Sequence, residues 1–239
     1  VISNNIANSS TTGYKKDEVI YESFPETLYR RVNDTRSNIS PFSNNIGYMS
    51  TGNDVGEIFT YFNQGQLVST GNKSDLAITG ADTAFFTVLA INQQGESVEY
   101  YTRDGSFAVG SDGFLRTTDG YLVAGENGPV FLGDGEYTIK EDGTVVQDGN
   151  IINKLRITQF SNTENLRKIG QNLFEAQGDI EQTEFSGAVR QGYLEQSNVN
   201  VVKEMVNMIT VTRSYEANQK IIQTIDSTLG KTVNEVGAV

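Results

Sequence analysis

The chain has 239 residues, 37% of them hydrophobic, which is enough for one large or two modest domains. Its formal net charge of −12 disfavours nucleic acid and anionic lipid surfaces as partners, and no apolar run is long enough for membrane insertion. The sequence contains neither Cys nor His, which excludes cysteine nucleophiles, Ser-His triads and ordinary zinc sites. The lack of Cys also suits an exported protein.

The N-terminal segment is predicted to be the end of a helix followed by a polar arm. Val1, Ile2 and Ile6 lie about one helical turn apart, and residues 8–13 have the composition of a helix terminus. Residues 33–53 are polar and rich in Asn and Ser, which is typical of a linker. We therefore expect residues 1–54 to form an axial segment, with its helix starting upstream, and a linker arm.

The middle of the chain is predicted to be an antiparallel β module. Of the 24 glycines, 21 lie between Gly47 and Gly192, and six Asp-Gly pairs suit tight hairpin turns. Runs rich in β-branched and aromatic residues lie between them. These runs are Ala84–Ile91, Ser97–Thr102, Tyr137–Lys140, Thr144–Val146 and Leu155–Phe160. We expect residues 55–190 to form a sandwich or irregular meander that folds by itself.

The C-terminal segment, residues 191–239, is predicted to be a long helix. Residues 193–229 contain neither Gly nor Pro, Ser197 or Asn198 could cap the helix, and Gly230 could end it. Apolar residues recur every seven positions, which is typical of a coiled coil. They are Val201, Met208, Tyr215, Ile222, Leu229 and Val236, with Met205 and Val233 between them. An amphipathic helix folded back on its own domain is the alternative. The predicted fold is mainly β with terminal α-helices.

Motifs at both ends and in the middle resemble those of bacterial flagellar rod and hook proteins. The signature residues at the two ends are Asn4, Asn5, Ile6, Ala7, Asn8, Thr12, Gly13, Tyr14, Ser197, Asn198, Val199 and Asn200. The middle motifs, Gln64-Gly65 and Tyr101–Phe107, are similar to those of the rod proteins in particular. Proximal and distal rod proteins share these motifs, so the resemblance does not separate the two.

This resemblance implies a structural subunit of the basal-body rod, outside the cytoplasmic membrane. The expected partners are further copies, other rod and hook subunits and the flagellar type III export apparatus, without enzymatic activity, cofactor, metal or small-molecule ligand. The terminal helices would pair and line the axis of a helical assembly, with the β module facing outward. The expected assembly interface comprises Ile2, Ile6, Val201, Met205, Met208, Tyr215, Ile222, Leu229, Val233 and Val236.

Two readings from other classes compete with the rod subunit. A secreted adhesin or carbohydrate-binding module on a coiled-coil stalk could use Tyr100, Tyr101 and Tyr121 to stack on sugars. A glycosidase could use two carboxylates such as Glu96 and Glu99, although nothing in their spacing selects a catalytic pair.

Overall fold

The computed structural model describes residues 1–30, 45–91, 97–133, 135–170, 172–178 and 180–236, without the side chains of 45, 91, 235 and 236. The chain divides into two compact units. The first comprises Val1 and Asp17–Tyr61, and the second comprises Ile2–Lys16 and Phe62–Val239.

The first unit is built from four antiparallel strands paired two by two. They are β1 (Asp17–Ser23), β2 (Thr27–Arg30), β3 (Asn45–Met49) and β4 (Asn53–Thr60). Strand β1 pairs with β4, and β2 pairs with β3. The predicted linker over residues 33–53 is therefore wrong for its second half, which contains β3 and the start of β4. Residues 33–44 lie outside the described residues.

The second unit holds two α-helices and the remaining strands. In chain order they are α1 (Ile2–Ala7), β5 (Leu67–Ser69), β6 (Leu76–Thr79), β7 (Ala84–Ile91), β8 (Ser97–Thr102), β9 (Phe107–Val109), β10 (Leu115–Thr117), β11 (Leu122–Gly125), β12 (Gly128–Pro129), β13 (Tyr137–Ile139), β14 (Thr144–Gln147), β15 (Asn150–Lys154), β16 (Ile157–Phe160), β17 (Leu166–Gly170), β18 (Leu173–Ala176), β19 (Gln182–Thr183), β20 (Ala188–Gln191), β21 (Tyr193–Glu195) and α2 (Val201–Lys231).

Every described strand pairing is antiparallel, as the sequence predicts. The largest sheet runs β17-β18-β8-β7-β11-β10-β9, with β12 added to β11, β16 to β7 and β19 to β16. Strands β13, β14 and β15 form a second sheet, and two further pairs join β6 to β20 and β5 to β21. The last two pairs bring the C-terminal end of the β region back beside residues 67–79.

Strand β7 is the centre of the hydrophobic core. Phe86 belongs to the larger buried cluster with Leu76, Leu115 and Val123, whereas its neighbour Phe85 belongs to a second, aromatic cluster. Because adjacent strand residues point to opposite faces, β7 is covered on both faces. This explains why its sequence is a continuous apolar run rather than an alternating one.

Most of the Asp-Gly pairs form turns, as expected. Between β14 and β15, Asp148 and Gly149 have φ of 52° and 83°, which fits the two-residue hairpin that the pair favours. The glycines of three other pairs, at 113, 120 and 143, also have positive φ. The prediction is wrong for Asp104-Gly105, because Gly105 has no positive φ and lies at a buried contact. Asp134 lies outside the described residues.

The C-terminal helix is confirmed, but both of its predicted ends are wrong. Its N-cap is Asn200, whose side chain accepts a hydrogen bond from the Lys203 amide at 3.0 Å, so neither Ser197 nor Asn198 is the cap. The helix passes through Gly230 to Lys231 and continues as a π-helical turn over Thr232–Val236. No described helix is long and apolar enough to cross a membrane.

Helix α1 contacts α2, but it is six residues long. Among the described residues these are the two α-helices, so coiled-coil pairing along the whole of α2 stays a prediction.

Candidate functional site

The residues that carry the family resemblance meet where the two ends of the chain join the β sheets. We call this region the junction: residues 4–16, 62–65, 103–105 and 195–204. All of it lies in the second unit.

The N-terminal motif forms a compact polar cap around Tyr14. The Tyr14 hydroxyl donates toward the Oδ1 atoms of Asn4 and Asn5, at 3.2 and 3.1 Å, and Asn5 is buried. The Asn8 amide group donates to the Asn4 Oδ1 at 2.7 Å. Lys168 places its ammonium 3.8 Å from the centre of the Tyr14 ring, a cation–π contact. These contacts end α1 and turn the chain toward the sheets.

Gly13 is where the N-terminal segment comes closest to the β sheets. Its φ is +66°, and a Cβ here would collide with the backbone of Asp104. The Gly13 amide donates to the Glu195 carbonyl oxygen at 2.8 Å, and the Thr12 hydroxyl donates to the Asp104 Oδ1 at 2.7 Å. Glycine is required here by both the backbone conformation and the close approach.

Glu195 is the charged centre of the junction. Its Oε2 accepts from Arg103 Nε at 2.7 Å, and its Oε1 accepts from Lys15 Nζ at 2.7 Å and from the Gly65 amide at 2.8 Å. The side chains of the three charged residues are at most 1% exposed. The carboxylate therefore holds three segments that lie 92, 130 and 180 residues away from Glu195 in sequence.

Lys15 and Arg103 direct their remaining donors to backbone carbonyls. Lys15 Nζ donates to the carbonyl oxygens of Phe62 and Asn63 at 3.0 and 2.8 Å, so all three ammonium protons have acceptors. Arg103 donates to the carbonyl oxygens of Ala81 at 2.7 Å, Ile78 at 3.4 Å and Ala84. Buried charges are tolerated when they are paired and hydrogen-bonded in this way.

Burial and pairing act in opposite directions on the two titratable members. Burial acts to raise the pKa of Glu195, but the charges of Arg103 and then Lys15 outweigh it and hold that pKa below its ordinary value. For Lys15, burial dominates and the pKa lies below its ordinary value, although Glu195 opposes the shift. The lowered pKa keeps the Glu195 carboxylate ionised at neutral pH, with the Arg103 guanidinium and the Lys15 amino group on either side.

The C-terminal motif connects this ion cluster to the start of α2. Asn198 accepts from the Lys16 amide at 2.8 Å through Oδ1, and its side-chain amide donates to the Asn63 carbonyl at 3.1 Å. Lys16 Nζ lies 3.0 Å from an oxygen of the buried Glu204 in the first turns of the helix. The junction therefore fixes the N-terminal segment to the start of α2.

The remaining signature positions have more local roles. Ser197 accepts from the Val199 amide at 3.3 Å through its hydroxyl oxygen, and Val199 is buried. Ile6 is partly buried and Ala7 is exposed on α1.

The expected assembly residues are not brought together within one chain. Ile2 and Val201 are partly buried. The other described members are exposed along α2: Met205, Met208, Tyr215, Ile222, Leu229 and Val233. The Val236 side chain lies outside the described residues. The alternative of a helix folded back on its own domain is therefore wrong for most of α2.

Sequence reasoning gave no role to Lys15, Arg103 or Glu195, although each stands within or beside a quoted motif. Each of the three lies two or three residues from a Gly in a short motif, which is a weak signal of burial. Only the fold reveals that the three charges pair.

The residues named for the carbohydrate-binding and glycosidase hypotheses give those hypotheses little support. Tyr101 is buried in the aromatic cluster rather than exposed, and Tyr100 and Tyr121 are partly buried with ring centres 6.4 Å apart. Glu99 pairs with Arg156 at 2.6 Å, and Glu96 lies outside the described residues.

Comparison with known proteins agrees with the motifs. Residues 190–235 match the family described as "Flagellar basal body rod FlgEFG protein C-terminal", and residues 1–15 match "Flagella basal body rod protein". The flagellar basal-body rod protein FlgG of Borreliella burgdorferi is 35% identical, with 96% of this chain and 89% of the relative covered. FlgG of Agrobacterium fabrum is 36% identical, with 95% and 88% covered. The flagellar hook-basal body complex protein FlhO of Bacillus subtilis is 28% identical, with 100% and 93% covered.

The chain therefore belongs to the flagellar basal-body rod protein family. These comparisons give no support to the stalked-adhesin alternative.

Proposed function

We propose that this protein is a structural subunit of the flagellar basal-body rod and assembles helically with further copies through its terminal helices. The observation that carries the proposal is the long exposed apolar stripe of α2 in a chain of this family. Its surroundings would be the basal body outside the cytoplasmic membrane, with other rod and hook subunits as neighbours. The flagellar export apparatus is the proposed route there.

The stripe on α2 has the period of a helix that packs against other helices. Its exposed members at positions 205, 208, 215, 222, 229 and 233 are three, seven, seven, seven and four residues apart, which fits a heptad period. A single chain that leaves this many large apolar side chains in water has a surface suited to protein association. We therefore propose Ile2, Ile6, Val201, the exposed members and Val236 as the assembly interface. The signature residues would set the direction in which α2 leaves the junction.

The strand pair β1–β4 offers a second surface for neighbouring subunits. Cross-strand partners share a face, and on one face Val19 lies opposite Ile58 and Tyr21 opposite Val55. Three of these four side chains are exposed. The other face carries the pairs Glu18–Phe59, Ile20–Glu57 and Glu22–Asp54, so it is mostly acidic. The first face is apolar at its centre and polar at its ends, where Asp17 lies opposite Thr60 and Ser23 opposite Asn53, and the apolar centre suits packing against another protein.

The assembly proposal can be tested by cross-linking because the chain contains no Cys. Tyr215→Cys places a single thiol on the stripe, and Ala217→Cys places one two residues later on the opposite side of the helix; both positions are exposed in the single chain. In concentrated protein that forms filaments by electron microscopy, oxidation should give a covalent dimer from Tyr215→Cys well before Ala217→Cys. Equal cross-linking of both variants, or protein that stays monomeric at every concentration, would contradict assembly through this stripe.

A further inference from the structure

We propose that the Lys15–Glu195–Arg103 cluster is a latch that makes stable folding of the β sheets in the second unit conditional on docking of residues 12–16. The latch is a property of the single chain and does not depend on rod assembly. It contrasts with the expectation that the β module folds by itself, because two of the three charges lie outside residues 55–190.

The first argument is electrostatic. Arg103 follows β8 directly and is inaccessible to water among the strands, where an unpaired guanidinium would be strongly destabilising. Within the part of the chain that the structure describes, its one carboxylate partner is Glu195, at the end of β21. Glu195 in turn has two cations, and Lys15 is the one supplied by the N-terminal segment.

The second argument concerns what Lys15 satisfies. Its ammonium group holds Glu195 and the carbonyl oxygens of Phe62 and Asn63. If residues 12–16 undock, these carbonyls and one carboxylate oxygen lose their charged donor together. Glu195 would keep Arg103 and the Gly65 amide, while its own carbonyl would lose the Gly13 amide. Undocking of residues 12–16 therefore leaves Glu195, the carboxylate partner of Arg103, with fewer hydrogen bonds to hold it in place.

The third argument is that the segment is attached mainly by polar contacts, which form or break as a set. Besides those of Lys15, Gly13 and Lys16 described above, the attachments include the Thr12 hydroxyl to Asp104, the Asn172 side-chain amide to the Thr12 carbonyl at 2.9 Å and Lys168 Nζ to the Lys15 carbonyl at 3.0 Å. A short segment held this way is displaced as a unit when its backbone can no longer approach.

Gly13→Ala disturbs the docking of residues 12–16 without replacing any of the three charged residues. The new Cβ would collide with the Asp104 backbone, so the segment must move while Lys15, Glu195 and Arg103 are unchanged in sequence. Gly71→Ala is the matched control, because Gly71 has a similar φ of +74° and open space where a Cβ would lie. Both variants carry the strain of Ala at positive φ, but only Gly13→Ala has the collision.

Hydrogen exchange of the full chain, measured by mass spectrometry, tests the effect of these two substitutions on the β sheets. For Gly13→Ala we expect exchange in β7 and β8 to accelerate about a hundredfold, together with that of residues 12–16. For Gly71→Ala we expect at most about a tenfold change in the same strands. Loss of folding in Gly13→Ala alone would be the extreme form of the expected result. Acceleration confined to residues 12–16 and 62–65, with β7 and β8 at the parent rate, would overturn the latch.

Lys15→Met provides a second test with an intact backbone. It removes the ammonium group but keeps most of the side-chain volume, and Lys73→Met is the same change at an exposed ion pair with Glu136. We expect Lys15→Met to accelerate exchange in β7 and β8 at least about tenfold and Lys73→Met to leave it unchanged. Equal effects of the two substitutions would refute a special role for Lys15.

Discussion

Replacing Ile222 by Asp should leave the single chain folded and abolish its assembly. Ile222 is 60% exposed on α2, so the substitution changes little that the isolated subunit buries. Asp and Ile have similar helix propensities, and we expect the free energy of unfolding to change by less than about 0.5 kcal/mol. In an assembled helix pair the same position would lie against a neighbouring helix, and there the substitution would weaken association.

The magnitude at the assembly contact follows from the exposed surface. Full burial of an Ile side chain contributes about 1.5–3 kcal/mol, so burying the exposed part of Ile222 would contribute roughly 1–2 kcal/mol per subunit. Asp forfeits this contribution and adds an unpaired carboxylate whose desolvation costs several kcal/mol. Since each 1.4 kcal/mol is a factor of about ten, association at every contact should weaken by about a thousandfold or more.

Two measurements on the purified protein check this reasoning. Circular dichroism should show the same unfolding transition for the parent chain and Ile222→Asp, and sedimentation with electron microscopy should show assembly of the parent chain only. Thr224→Asp is the matched control, because it adds the same charge at an exposed position on the opposite side of the same helical turn. Assembly of Ile222→Asp at the parent concentration would refute burial of this position. A large loss of stability in the monomer would show that the stripe is covered within one chain.

Three further substitutions or titrations test the junction. Burial acts to raise the pKa of Glu195, but its cationic neighbours hold it below the ordinary 4.5; its contribution to stability is therefore complete above that pH and lost as pH falls through the lower folded value. An acid titration of unfolding should show this loss in the parent chain and not in Glu195→Gln. Gly65→Ala should be strongly destabilising in thermal unfolding because its Cβ would collide with the Gln196 carbonyl, whereas Gly133→Ala meets only ordinary contacts. Asn200→Ala should cost about 1 kcal/mol and speed amide exchange in the first turn of α2, with the rest of the helix unchanged.

The strongest local patterns in the sequence correctly predict the two central strands, including their ends. The runs at 84–91 and 97–102 correspond to β7 and β8 with the same ends. Strand β7, covered on both faces, is apolar except at Thr87, and β8 is rich in the β-branched and aromatic residues that strands favour. The long C-terminal helix was equally visible from its period and its freedom from Gly and Pro. These elements are determined by local composition, which a sequence displays directly.

Strand β3 and the start of β4 were missed. Strands β3 and β4 lie partly within the polar stretch 33–53, where Asn and Ser predict a linker, and their pairing with β2 and β1 comes from residues up to 43 positions away. The N-cap was missed for a related reason: Ser197, Asn198 and Asn200 are all acceptable caps by type. The side chain of Asn198 is instead used by the Lys16 amide and the Asn63 carbonyl, and that competition is invisible in the sequence.

The junction explains why the motifs of this chain are scattered. The short motifs lie far apart in sequence, yet each contributes a group to one buried carboxylate or to the backbone beside it. The contributing residues are 12–16, Gly65, Arg103 and Glu195. A buried carboxylate with two cations has few tolerated substitutions, since removing any partner leaves a charge or a carbonyl unsatisfied. The stripe on α2 has the opposite property, because its residues are exposed in the single chain and would gain their contacts from other chains in the proposed assembly. The motif residues therefore hold the start of α2 against the β sheets, and in the proposed assembly the exposed heptad residues would determine which helices α2 contacts.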